Sequence, residues 1–295
     1  DDAMGDADIV EPVACEPLST DYAPGADDTW PACVSDGGTY VSFEPTASTT
    51  ARIAAFESIA DLLWRATAPD TDAFLDAREL YATGEGLESR VVRREDEHYP
   101  PVSDGMGGTL SCRDEGVPAL DPERCVGPAQ IQPIIGEAFA AGIRGEDPDV
   151  NAARIEAALL WFLYVSTHKE AITCTTVQRD CDSAHAYYTG SQPFDAAIGL
   201  AGYVRALDAD AHDRVTDGIL AVRCWRDLDG EATATNLALR DQAVAQLDRA
   251  LLRGVAVVVL DRIARWEESA SAADAAFLDI LAPVLVREAT ARDAP

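Results

Sequence analysis

The chain has 295 residues, of which 47% are hydrophobic, and carries a formal net charge of -29 with an isoelectric point near 4.2. It is long enough to bury a substantial core in one large domain or two smaller ones. The acidic balance excludes nucleic acid, whose phosphates need a basic surface, and disfavours anionic membranes. Since the sequence contains no run of about 18 or more apolar residues, we expect no transmembrane segment.

The seven cysteines divide into local pairs by their spacing. None forms a CxxC knuckle, which argues against a structural zinc site. Short loops closed by disulfides are typical of an oxidising compartment, so we expect a periplasmic or cell-surface (secreted) protein. The spacing pairs Cys15 with Cys33, Cys112 with Cys125, and Cys174 with Cys181, and leaves Cys224 over.

Residues 1–48 form an acidic segment rich in Asp, Pro, Gly and Thr, with almost no helical periodicity. This composition predicts an irregular N-terminal segment pinned by the first cysteine pair. Its polar, proline-containing opening also fits a lipoprotein with a lipid anchor upstream of the given chain, although the sequence shows no lipobox.

Helical periodicity begins at Thr49, where apolar residues such as Ile53 and Phe56 recur at three- and four-residue spacing. A second, shorter amphipathic segment covers 70–83. The stretch 98–130 is rich in Gly, Pro and Cys, and predicts a long ordered loop.

A nearly unbroken series of helical patterns follows this loop. The run VAVVVL at 255–260 resembles a strand, but it is in phase with Leu251 and Ile263, so we interpret it as buried helix. We predict an all-α fold in which 49–295 form the helical domain, as one antiparallel helical bundle or two stacked bundles. The patterns cover 131–142, 147–172, 193–208, 210–228, 233–269 and 273–291.

The stretch 168–190 concentrates metal-ligand chemistry at the end of the most apolar helix. His168 shares a helical stripe with Tyr164 and Ile172, so it lies on an apolar, aromatic face. Such a histidine is either a satisfied core or capping residue or a ligand, and both interpretations stay open. Glu170 lies about 200° away around the helix, so the two residues can share an ion only if the helix unwinds.

Asp182 and His185 are three residues apart, which places a carboxylate and an imidazole on one helical face. A Cys174–Cys181 bridge would bring His168 toward them. One carboxylate with two imidazoles suits iron, zinc or copper better than calcium. The alternative is that Asp182 caps a helix and that His185 is exposed in its first turn.

The run CDSAHAYYTG at 181–190 resembles the W-D-E-A-x-A-Y-Y-x-G signature of the low-iron-inducible, iron-assimilation proteins of algae and their bacterial relatives. The preceding YVSTHKEA resembles a segment with an H-E pair in that group, and the all-helical design is similar to imelysin-like proteins. The resemblance implies a periplasmic or surface helical protein linked to iron or another metal. It points to His168, Glu170, Asp182, Tyr187 and Tyr188.

Three functions are compatible with these residues. The first is an extracytoplasmic protein that binds a transition metal ion, with iron preferred, for uptake or storage. The second is a metal-dependent enzyme of unknown substrate in which Glu170 or Glu156 acts as general base. The third is a surface interaction protein without a metal site. The predicted metal ligands are His168, Glu170, Asp182 and His185, and the residues predicted to bind a cofactor or small ligand are Tyr164 and Tyr188.

Overall fold

The computed structural model describes residues 16–26, 29–65, 68–83 and 86–287. Within these ranges the chain forms eleven α-helices and no β-strand, apart from an isolated bridge between Ser103 and Thr109. The predicted all-α fold is confirmed. The helices are α1 (Ala47–Leu62), α2 (Thr71–Thr83), α3 (Leu87–Val91), α4 (Val117–Leu120), α5 (Gln132–Ile143), α6 (Pro148–Thr173), α7 (Arg179–Thr189), α8 (Leu200–Leu207), α9 (Ala209–Leu228), α10 (Leu237–Ser269) and α11 (Ala272–Leu281).

Helix α6 is the centre of the fold. Most of its 26 residues are buried, and it packs against α5, α7, α10 and α11. Because buried residues occur on all sides of α6, its neighbours cover every side of the helix, and α6 forms the core of the protein. None of the described helices, α6 included, is long and apolar enough to cross a membrane.

The helix boundaries follow local backbone signals. Pro148 occupies the first turn of α6, where its missing N–H leaves no hydrogen bond unmade. The helix predicted over 193–208 is interrupted, because a short 3-10 turn at Phe194–Ala196 is followed by Gly199, whose φ of 66° and ψ of -141° suit glycine. The strand-like run 255–260 lies inside α10, as predicted.

The described residues between 16 and 46 form no helix and are held by side chains of the helical domain. The backbone N–H and carbonyl of Tyr22 exchange hydrogen bonds of 2.8 and 2.9 Å with the side-chain amide of Gln246 in α10. The guanidinium of Arg223 in α9 donates to the carbonyl oxygen of Val41 at 2.6 Å. Helix side chains therefore satisfy the polar backbone groups of an irregular segment.

The disulfide that pins this segment differs from the predicted one. Cys33 is bonded to Cys224 in α9 across a sequence separation of 191, with 5.4 Å between the Cα atoms. The predicted pairing of Cys33 with Cys15 is therefore wrong, and Cys15 itself lies outside the described residues. Spacing fails as a guide here because a disulfide requires Cα atoms within about 7 Å, and folding brings α9 to Cys33.

The other two predicted disulfides are confirmed. Cys112–Cys125 closes the loop that contains α4, with a Cα–Cα distance of 5.4 Å. Cys174–Cys181 joins the end of α6 to the start of α7, with a Cα–Cα distance of 5.1 Å. Both bridges close short local loops, which is the case that sequence spacing can predict.

Candidate metal centre

His98 is held between two aspartates in the interior of the protein. Its Nδ1 lies 2.5 Å from an Asp96 carboxylate oxygen, and its Nε2 lies 2.8 Å from a carboxylate oxygen of Asp248. The His98 ring also stacks on the ring of His168, with centroids 3.8 Å apart and planes within 7° of parallel. We call Asp96, His98, His168 and Asp248 the His98 cluster.

The segment that carries Asp96 and His98 is irregular and turns at residues 97 and 98. Asp96 and His98 face the interior, whereas Glu95 and Glu97 face the buried guanidinium of Arg124. Arg124 donates to both glutamates at 2.9 Å and to the backbone carbonyl of Asp96 at 3.2 Å. One arginine therefore fixes the outer side of the segment and so positions the two inner side chains.

Helices α6 and α10 supply the rest of the cluster and its surroundings. Tyr164, one turn before His168 on α6, donates to Asp248 at 3.4 Å, and its ring stacks on His98 at 5.7 Å. Arg287 lies 3.4 Å from both carboxylate oxygens of Asp248 and 3.2 Å from the hydroxyl of Tyr164. The structure thus brings two of the predicted residues, Tyr164 and His168, to one place.

Burial and neighbouring charges shift the pKa values of the two stacked imidazoles, His98 and His168, in opposite directions. Burial, together with the neighbouring His98, lowers the pKa of His168 to about 3, so His168 is neutral at pH 7. Burial also opposes protonation of His98, but its contacts with Asp248 and Asp96 outweigh burial and raise its pKa. Burial alone would raise the pKa values of Asp96 and Asp248. The contacts with His98 outweigh burial and hold both pKa values below their ordinary range.

His168 keeps an unused ligand atom. Its Nδ1 is buried and has no hydrogen-bond partner, which is uncommon in a protein interior. Ligand atoms of Asp96, His98 and His168 all lie within 4.8 Å of one another. Two ligand atoms of one metal ion are at most about 4.2 Å apart, because each metal–ligand bond is about 2.1 Å long. Small shifts of Asp96, His98 and His168 would therefore let them share an ion. One ring must also turn, since the lone pairs lie in the planes of the parallel rings.

A second group of potential ligands, Cys33, Asp36 and Cys224, offers no thiolate. Its two cysteines are joined in a disulfide, so only the carboxylate could coordinate an ion. Asp36 already accepts hydrogen bonds from the backbone N–H of Cys33 at 2.8 Å and from the hydroxyl of Tyr22 at 3.1 Å. The described part of the chain contains no third group of this kind.

Glu170 takes part in a different interaction from His168, as expected from its angular position on α6. Its carboxylate accepts hydrogen bonds from Arg94 at 3.1 Å and from Lys169 at 3.4 Å. Burial alone would raise the pKa of the Glu170 carboxyl group. The positive charges of Arg94 and Lys169 outweigh burial, so the pKa is lowered. Arg94 also donates to the hydroxyl of Tyr187 at 3.3 Å, so Glu170 and Tyr187 contact the same buried guanidinium group.

Asp182 attaches the N-terminal segment to α7. Its carboxylate accepts hydrogen bonds from the hydroxyl of Tyr40 at 2.9 Å and from the backbone N–H groups of Phe43 at 3.1 Å and Glu44 at 2.8 Å. Asp182 does not cap α7, because the helix already begins at Arg179. Its hydrogen-bond donors lie about 140 residues earlier in the sequence. Neither the metal-ligand interpretation nor the capping interpretation of Asp182 predicts these contacts.

His185 and Tyr188 face other parts of the interior. The ring of His185 stacks on Tyr40 at 4.0 Å, and its Nε2 lies 3.2 Å from the hydroxyl of Thr189. Burial lowers the pKa of His185 to about 4. The hydroxyl of Tyr188 lies 3.0 Å from Nδ1 of His212. We call Tyr40, Asp182, His185 and Thr189 the Asp182 cluster.

The predicted metal ligands therefore separate. Among the described residues, no group of three possible ligand residues contains Glu170, Asp182 or His185, so the structure does not bring them together with His168. In their place it brings Asp96 and His98, at the start of the 98–130 loop, and Asp248 from α10.

Asp96, His98 and Asp248 are the partners that sequence reasoning missed. A helical interpretation of the run REDEHYP pairs Glu95 with His98 at three-residue spacing and hides the pairing of Asp96 with His98. The local signal is an Asp-x-His turn ahead of two prolines, in which the Asp96 carboxylate accepts a hydrogen bond from the backbone N–H of His98 at 3.0 Å. Asp248 gives no such signal, because it is one of several aspartates on an ordinary amphipathic helix.

Comparisons with known proteins identify no relative of this chain. No protein-family profile, curated protein or solved structure matches it. The resemblance of 181–190 to iron-assimilation proteins therefore stays a prediction, and the function has to be inferred from residues and geometry.

Proposed function

We propose that this chain is an extracytoplasmic protein that binds a transition metal ion, with iron preferred, at the His98 cluster and serves in metal uptake or storage. The observation that carries the proposal is the buried, unpartnered Nδ1 of His168, a residue that groups with Asp96 and His98 as a possible metal ligand. An unpaired polar atom in the interior costs about 1 to 3 kcal/mol unless a ligand uses it. A metal ion would use this lone pair and the neighbouring carboxylate together.

The donor set fits a transition metal better than calcium or magnesium. Imidazole nitrogens suit iron, zinc, copper and nickel, whereas calcium and magnesium prefer oxygen ligands alone. His168 is neutral at pH 7 and needs no deprotonation before it binds. Asp248 supplies either a second carboxylate ligand or the outer hydrogen bond that orients His98. The preference for iron rests on the sequence resemblance.

The closure of the cluster favours binding over catalysis. The side chains of His98, Asp96 and Asp248 are 4%, 10% and 22% exposed. A catalytic metal needs an open coordination position with room for a substrate beside it. This supports capture of the ion itself, as in uptake or storage, over an enzymatic role.

The covalent chemistry and the charge of the chain support an extracytoplasmic role. Three disulfides are characteristic of proteins that fold in an oxidising compartment. The net charge of -29 also raises the local concentration of cations at the protein surface, which speeds their encounter with a buried anionic site.

Metal content after loading tests the proposal. Untagged protein loaded with Fe(II) in the absence of oxygen and then dialysed is expected to retain about one ion per chain. His168→Ala should lose that ion, whereas His185→Ala, the matched control in the Asp182 cluster, should retain it. Equal metal content in His168→Ala and the unaltered protein, or equal loss in both variants, would refute a site at the His98 cluster.

A further inference from the structure

One cavity of this acidic protein has more basic than acidic residues in its lining. It has a volume of about 480 Å³ and lies between the start of α1 and the start of α7. Among its lining residues the acidic ones are Glu170 and Asp180. The basic ones are Arg52, Arg90, Lys169 and Arg179. Lys169 is the single lysine of the chain. We call this cavity the Lys169 pocket.

The acidic residues of the pocket do not cancel its positive charge. Glu170 is buried and accepts hydrogen bonds from the buried Arg94 and from Lys169. Burial raises the pKa of Asp180, which disfavours the charged form of its carboxyl group. Within the described ranges neither Arg90 nor Arg179 forms an ion pair, although the chain has 52 acidic residues that could supply one. The pocket therefore keeps an excess of positive charge.

Like charges are crowded beside the pocket. Burial and the guanidinium groups of four other arginines lower the pKa of Arg93; those arginines are Arg90, Arg113, Arg52 and Arg94. Mutual repulsion of this kind is relieved when an anion binds among the cations. A protein with net charge -29 has no need of such a cluster for solubility, so its concentration in one place indicates an anionic ligand.

The N-terminus of α1 adds a second favourable field to the same pocket. Pro45, Thr46, Ala47, Ser48 and Thr49 line the wall. The capping residue Thr46 makes no side-chain hydrogen bond to the helix, and the first turn contains no acidic residue. The first N–H groups of a helix and its dipole favour an anion at this position.

We propose that the Lys169 pocket binds a phosphate dianion, either free or as the phosphate of a small organic ester. The planar guanidinium groups of Arg90 and Arg179 suit phosphate oxygens, and several cations suit a charge of about -2. The volume exceeds what phosphate alone fills and lies within the range of small-molecule sites. This site is separate from the His98 cluster and does not depend on metal binding there.

Calorimetric titration of metal-free protein with inorganic phosphate and with glycerol 3-phosphate tests the proposal. We expect saturable binding that weakens at least tenfold in an Arg90→Ser, Arg179→Ser variant, whose altered side chains are exposed and leave the core intact. Tighter binding of glycerol 3-phosphate would assign an ester as the ligand, and equal binding would assign free phosphate.

An Arg144→Ser, Arg265→Ser variant is the matched control, because it removes two exposed guanidinium groups that do not line the pocket. Its phosphate affinity should stay within twofold of the unaltered protein. The absence of saturable binding of both probes to the unaltered protein would overturn the proposal. So would equal weakening in the control, because net charge rather than the pocket would then explain binding. Thermal unfolding of each variant verifies that it is folded.

Discussion

The His98 cluster and the Asp182 cluster both place carboxylate and imidazole groups in the interior, but they differ in how far the chain itself satisfies them. In the Asp182 cluster three donors from the N-terminal segment occupy the carboxylate, and the hydroxyl of Thr189 reaches His185. In the His98 cluster the buried Nδ1 of His168 has no partner. Hydrogen-bond satisfaction, more than residue type, separates a structural polar cluster from one that can accept a ligand.

The difference has a physical origin in what each cluster must do for the fold. Residues 40–44 are irregular and need partners for their backbone N–H groups, and Asp182 supplies them. The His98 cluster instead gathers charged side chains, with Asp96 and Asp248 opposed by His98 and Arg287. Apart from one hydrogen bond of 3.0 Å from the backbone N–H of His98 to Asp96, these charges are held by side chains, which can rearrange around an incoming cation.

The largest effect on stability is expected at the Asp182 cluster. Asp182→Ala removes a buried carboxylate and leaves three donors without their partner, which should cost about 3 to 4 kcal/mol of unfolding free energy. Urea unfolding measures the loss. Metal retained per folded chain should not change. The exposed Asp279→Ala in α11 is the control and should stay within about 0.5 kcal/mol of the unaltered protein.

The pH dependence of stability should reveal the burial of His185. Because burial lowers its pKa from 6.5 to about 4, the unfolded chain binds the proton more tightly than the folded one. The stability that neutral His185 contributes is complete above pH 6.5 and is lost as the pH falls toward 4, by about 3 kcal/mol in total.

His185→Phe retains a ring against Tyr40 and removes this titration. Urea unfolding between pH 7.5 and pH 4.5 should therefore show a smaller loss for His185→Phe than for the unaltered protein. Parallel losses in the two proteins would show that His185 is not buried in its neutral form.

A smaller effect is expected from the Cys174–Cys181 bridge. The Cys174→Ser, Cys181→Ser variant opens a short loop, and loop-closure entropy predicts a loss of about 2.5 kcal/mol. Its metal content should be unchanged, because His168 lies more than one helical turn before Cys174 on α6 and no ligand of the His98 cluster lies on α7. Loss of bound metal in this variant would instead tie the ion to α7 and contradict the separation of the two clusters.

Local features of the fold could be predicted from the sequence. The periodicity of 147–172 and the proline near its start define α6 almost to the residue, and two short-range disulfides follow from spacing. Those signals reside within a few turns of chain, where propensity and geometry act directly.

The candidate site could be predicted only in part, because its contacts are long-range. His168 could be singled out as a histidine on an apolar face, but His98 and Asp248 meet across 150 residues. Tyr40 and Asp182 meet across 142 residues, and Cys33 and Cys224 across 191. No periodicity encodes such pairings in a single sequence, since they depend on how the helices pack.

The location of a bound ion tests the central claim most directly. Crystals of the protein loaded with Fe(II) without oxygen can be examined by anomalous diffraction at the iron edge. We expect one peak about 2.0 to 2.2 Å from a ring nitrogen of His168 and from a carboxylate oxygen of Asp96. A peak at Asp182 and His185, or no peak in protein that has been loaded, would contradict the assignment of the metal to the His98 cluster.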